Sequence, residues 1–119
     1  MIATPLVKTA AAPHPHPNDF ERKRIERALK ARKRYRYVSP SVVEVAGGYR
    51  IQSPCCSRNI DPEGRIIDIA LLIYDANRVA WQLFRKDHVK AVWEADSTFD
   101  RLVELLALLN ADPERKFWQ

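Results

Sequence analysis

The spacing of apolar residues changes character twice along the chain. From Asn18 onward Ile25, Ala28 and Leu29 recur at helical spacing among charged residues, which predicts an amphipathic helix with a narrow apolar stripe. Asn18 stands three residues before Glu21, the arrangement of a capping box at the helix start. After Tyr35 the period falls to two. In SVVEVAGGYRIQ, Gly47-Gly48 separates two runs of β-formers and predicts a tight hairpin in which both glycines accept positive φ. RIIDIALLIYD is apolar on both alternating faces, as expected of a central strand covered on both sides. DANR and KDH read as turns into VAWQLFR and VKAVWE, making an antiparallel meander. The period then lengthens again. Ser97 or Asp96 is expected to open a last helix with Phe99, Leu102, Val103, Leu106 and Leu109 on one stripe, ended by Asn110 and Asp112-Pro113.

These elements predict an α+β fold: an antiparallel sheet of about five strands, hairpin plus meander, flanked by a basic N-terminal helix and a leucine-rich C-terminal helix. The domain is expected over residues 19–119. Residues 1–18, with PHPHPN and no hydrophobic period, read as a disordered or extended arm. A chain of 119 residues suits one domain with a core of its own. The longest apolar run, Ile69 to Tyr74, is too short to cross a bilayer, so no membrane association is expected. Prolines and histidines interrupt the arm where a secretion signal needs a continuous apolar core. Cys55 and Cys56 are adjacent, at about 3.8 Å between Cα atoms, closer than a disulfide normally spans. A cytoplasmic protein with reduced thiols is the expectation.

Charge changes the picture more than composition does. The formal net charge is +5, but nine Lys or Arg residues face only three carboxylates between Asp19 and Tyr37, a surplus of six, while residues 38–119 hold ten bases against twelve acids. A cationic segment on a near-neutral body points to an anionic partner. The candidate binding residues are Arg22, Lys23, Arg24, Arg27, Lys30, Lys33, Arg34, Arg36 and Tyr37, with the arginines and lysines on phosphates and the tyrosine offering limited base contact. The competing reading is a solvated helical face with Glu26 and Lys30 paired one turn apart.

Other candidate chemistry is thinner. Cys55, Cys56, Asp61, Asp68 and His88 are the residues around which an enzyme or metal protein would be built, but zinc ligands usually come as two spaced pairs, and only His88, His14 and His16 supplement the thiols. Structural thiols are the simpler reading. Asp68, within an apolar strand, needs a donor, expected from Arg85 or Arg58. No catalytic residue, cofactor or metal site is assigned. Leu105 at the margin of the last helix's stripe and Leu108 off it suggest a homodimer or a docked protein partner.

The succession ERKRIERAL, VAWQLFRKDHVKAVWE and LLALLNADPERKFWQ resembles a bacterial family of short domains of unknown function, marked by a basic N-terminal helix, a W-x-L-[FY] strand and a closing D-P-x-x-x-F-W. The resemblance spans residues 19–119 and departs from the pattern at SPCCSRNIDPEGRIIDIALL. It implies a fold of this type and carries over no catalytic residues. The function expected from the basic segment is non-enzymatic, regulatory binding of DNA or RNA, or of a nucleoprotein complex, through the basic helix; the alternative is a protein-interaction adaptor.

Overall fold

A computed structural model of the protein describes residues 16–33, 38–54, 63 and 65–118. Helix α1 (Asp19–Ala28) runs into a single 3-10 turn (Leu29–Ala31), five strands follow as β1 (Ser41–Val45), β2 (Gly48–Pro54), β3 (Ile66–Asp75), β4 (Ala80–Asp87) and β5 (Val92–Phe99), and α2 (Leu102–Ala111) comes last. The strands form one antiparallel sheet in sequence order, so every connection joins neighbours and the expected hairpin and meander are both present.

Turn chemistry sets the register. Val45 pairs with Gly48 across a two-residue turn in which Gly47 takes φ 78°. Gly48 is glycine for a different reason from the one expected: a Cβ there would lie 1.8 Å from the Leu72 carbonyl oxygen, so close approach of β3 requires it, and its φ is not positive. The other two hairpins share one design. Asp75 Oδ1 accepts from the Asn77 and Arg78 N–H groups at 3.0 and 3.3 Å, and Asp87 Oδ1 accepts from Val89 and Lys90, both at 3.0 Å. Val79 and Ala91 then close these turns in the left-handed region, at φ 53° and 57°.

Alternation along the strands sends Val42, Tyr49, Ile51, Ala70, Leu72, Trp81 and Leu83 to one face, where Ile25, Leu29, Leu105, Leu106, Leu109, Phe117 and Trp118 complete a single core. The helices therefore share one layer. The expectation that β3 is covered on both sides is corrected, because among the described residues no helix lies on the opposite face. There Leu71, Ile73 and Phe84 are half-buried beside Arg50, Gln52, Asp68 and Lys86. The long stems of Arg50 and Lys86 shield apolar area from water in place of a second layer.

The last helix also starts later than expected. Thr98 and Phe99 belong to β5, paired with Gln82 and Trp81, and α2 begins at Leu102 behind Arg101, which supplies no side-chain cap. Asp96 and Ser97 are not available as caps, since the Asp96 carboxylate takes the Ser97 hydroxyl at 2.9 Å and Lys116 Nζ at 3.1 Å. Ladder pairing outweighs the local signal for a helix start. Leu105 is fully buried and Leu108 half-buried against the core. The suggestion of a contact surface through Leu105 is thereby corrected: Phe117 and Trp118 return to the same cluster and widen the apolar face that α2 must bury.

That return is held by Asp112. It ends α2 in the left-handed conformation, φ 38°, and its buried carboxylate accepts from the backbone N–H groups of Lys116 at 2.8 Å, Phe117 at 3.3 Å and Trp118 at 2.9 Å. The Trp118 indole N–H donates to the Leu109 carbonyl at 2.9 Å, the Asp112 N–H to Leu108 at 2.8 Å and the Lys33 N–H to Asn110 at 3.0 Å, so carbonyls that the helix end leaves open find donors. Replacing Asp112 by Ala strands buried donors and removes charge-assisted bonds, for an expected loss of about 2–4 kcal/mol; Asn, which keeps one acceptor, costs less. Urea unfolding of both variants checks the size and the order.

Candidate nucleic-acid interface

The start of α1 is fastened to the sheet. Asn18 caps it as expected, its Oδ1 accepting from the Glu21 N–H at 2.7 Å. The Tyr49 hydroxyl joins the cap, accepting from the Asn18 N–H at 2.9 Å and donating to Glu21 Oε1 at 2.8 Å. Glu21 also meets His16 Nδ1 at 2.5 Å, and the His16 ring packs against Tyr74 and Trp81 with centroids 4.8 and 4.6 Å away. His16 and Pro17, expected in the arm, are thus half-buried against the domain. The other end of the helical segment is held by Ile25 and Leu29 in the core, by Asn110 Nδ2 donating to the Ala28 carbonyl at 2.9 Å, and by Arg32. The Arg32 guanidinium is buried, lies 5.1 Å from the Trp118 ring centre, and donates to the carbonyls of Leu29, at 2.8 Å, and Val38.

Docking by that inward edge sorts the basic residues into two groups. Arg22, with its side chain only 26% exposed, is engaged by Asp19, by Glu26 at 2.9 Å and by Glu44 of β1 at 3.3 Å. Lys23 meets Asp19 at 3.3 Å, and hydrogen bonds from Arg22 and then Lys23 hold the Asp19 carboxyl below its usual range. These two cations are largely neutralised at home. Arg24, Arg27, Lys30 and Lys33 are exposed and have no carboxylate partner among the described residues. Arg34, Arg36 and Tyr37 lie outside the described residues.

Arg24 and Arg27 border a groove of about 420 Å³ between α1 and α2, with walls of Ala28, Ala31, Leu102, Val103, Leu106 and Ala107. Lys30 borders a second hollow of about 300 Å³ with Glu26, Val38 and Pro40. Two exposed apolar residues adjoin this cationic surface, Phe20 at 75% exposure and Val103 at 52%. Sequence reasoning passed over Phe20, although its spacing to Arg24 and Arg27 at i+4 and i+7 places it on their stripe. Nothing in the sequence pairs that stripe with Val103, which only the packing of the two helices brings near.

The remaining candidate chemistry does not assemble. Asp68 is met by Lys86 Nζ at 3.1 Å, Gln52 Nε2 at 3.3 Å and Arg50 at 3.6 Å, which corrects the expected partner Arg85; that arginine pairs instead with Glu94 at 3.2 Å on β5. Arg58, Cys55, Cys56, Asp61 and His14 lie outside the described residues. His88 sits at a turn where burial, then Lys86, pushes its ring below the ordinary histidine value. No cluster of His, Cys, Asp and Glu fit for a metal occurs among the described residues, and no helix there is long and apolar enough to cross a membrane.

Fold and surface together define a two-layer α+β domain with one cationic helix laid along the edge of its helical layer. The chain belongs to the family described as Domain of unknown function (DUF3024), whose model matches residues 13–119. No curated protein and no solved structure matches it. The motif residues anticipated for such a family are structural: Trp81 and Leu83 are core residues of β4, and Asp112, Phe117 and Trp118 make the clasp behind α2.

Burial pushes the Tyr49 hydroxyl well above its ordinary value, with the adjacent Glu21 carboxylate adding to the rise. The folded chain therefore keeps this proton longer than the unfolded chain does, so the stabilisation is full below about pH 10 and declines as pH rises beyond it. Tyr49→Phe is expected to cost about 1–2 kcal/mol at neutral pH and to flatten that alkaline decline. Chemical unfolding at a series of pH values measures both.

Proposed function

We propose that this is a small cytoplasmic bacterial protein that binds nucleic acid, DNA or RNA, without catalysis, its exposed helical cations meeting backbone phosphates. The observation that carries the reading is the row Arg24, Arg27, Lys30 and Lys33: four exposed cations with no carboxylate partner among the described residues, on the one segment that holds the chain's positive surplus. Arg22 and Lys23 leave the candidate set as primary contacts, since Asp19, Glu26 and Glu44 already compete for them. Such contacts give affinity with little sequence preference. A role in regulating a nucleoprotein complex is compatible with the same chemistry.

A second reading, an adaptor for an acidic protein, draws on the apolar walls of the α1–α2 groove beside Arg24 and Arg27. Capture of a partner that survives nuclease treatment would favour it.

Four phosphate contacts give a slope of log affinity against log salt of roughly −3 to −4. Changing Arg24, Arg27, Lys30 and Lys33 together to Glu is expected to remove binding and leave the unfolding midpoint little altered, whereas Arg22→Gln keeps affinity within about twofold. Fluorescence anisotropy at several salt concentrations tests both. Full affinity in the quadruple variant would refute the reading.

A further inference from the structure

Resting on that reading, we infer that the face takes an unpaired strand rather than a duplex, with a base stacked on Phe20 and another set against the apolar wall of the α1–α2 groove. Three observations converge. Phe20 is 75% exposed, whereas the other large apolar residues of the helical segment, Ile25 in the helix and Leu29 in the 3-10 turn that follows, are fully buried. It lies one turn before Arg24 and two before Arg27, so the three residues share a stripe with about 5–6 Å between successive Cβ atoms. The groove beside them, of about 420 Å³, has walls of alanine, leucine and valine side chains and is rimmed by those same arginines.

A single exposed phenylalanine is ordinary on a protein surface. What separates Phe20 from Val89, which is 96% exposed at a turn tip, is its alignment with two unengaged arginines that themselves border an apolar recess. A purely phosphate-reading face gains nothing from either feature. In a duplex the base faces are occupied by stacking on one another, so an aromatic ring and an apolar wall have nothing to receive. An unpaired strand exposes base faces while its phosphates remain within reach of cations, which matches a stripe that sets one ring beside two guanidinium groups. Because any base has such a face, the preference is for strandedness and not for sequence.

The test compares a labelled oligo-dT and oligo-U with a labelled duplex of equal length, at one salt concentration. The wild-type protein is expected to hold both single strands more tightly than the duplex. Phe20→Ala lowers single-strand affinity roughly five- to hundredfold, with the salt slope and the duplex affinity unchanged, because the ring touches no phosphate. Phe20→Trp restores single-strand binding. The exposure of Phe20 keeps the fold out of the comparison, and the unfolding midpoint checks this. Equal single-strand affinity in the wild type and Phe20→Ala, or tighter binding of the duplex by the wild type, overturns the inference. If Arg24→Glu with Arg27→Glu still weakens binding in that event, the phosphate reading survives without it; if the wild type binds neither probe, both fall.

Discussion

The clasp made by Asp112 is the interaction on which the helical layer depends. A left-handed residue at the end of α2 turns the chain back, and one buried carboxylate collects three successive backbone N–H groups from the returning segment. That geometry delivers Phe117 and Trp118 into the core. Trp118 then works on two sides: its indole closes the Leu109 carbonyl of α2, and its ring underlies the Arg32 guanidinium at the end of the N-terminal helical segment. Without the return, α2 would expose the leucines that Phe117 and Trp118 accompany in the core, and Arg32 would lose the ring beneath it.

The position of the cationic row follows from this. The segment from Asp19 to Ala31 is pinned at its start by Tyr49, Asn18 and Glu21, and at its end by Arg32, Asn110 and the buried Leu29. With both ends fixed and Ile25 and Leu29 inward, Arg24, Arg27 and Lys30 have only the outer side to occupy. Positive charge is thus used in two ways within a short stretch. Arg22 and Arg32 are spent on structure, one on the carboxylates of Asp19, Glu26 and Glu44, the other on carbonyls and an indole. Arg24, Arg27, Lys30 and Lys33 are offered to solvent.

Much of the fold was legible in the sequence because period, turn residues and charge agree there. The hairpin at Gly47, the meander and the Asn18 cap are local signals, and each appears where expected. The failures are where a distant residue decides. Phe99 joined β5 because Trp81 lies opposite it, and Leu105 was buried because the chain returns at Phe117; neither partner is a near neighbour in sequence. Asp68 chose Lys86 and Arg50 over Arg85 because Lys86 and Arg50 share its sheet face, while the alternation of β4 turns Arg85 to the other side. The cationic row was visible as composition. Its division into engaged and unengaged residues rests on Asp19 and Glu26, one turn from the cations they meet, and on Glu44, which β1 brings to Arg22 from 22 positions away.

Mapping of backbone amide shifts in isotopically labelled protein, titrated with a short oligonucleotide, tests the central claim most directly. The account predicts a contiguous set of shifts over Phe20 to Lys33 and along Leu102 to Ala107 of α2, with the open sheet face around Leu71, Ile73 and Phe84 unaffected. Shifts confined to that sheet face, or none at concentrations where the oligonucleotide is in excess, would contradict it.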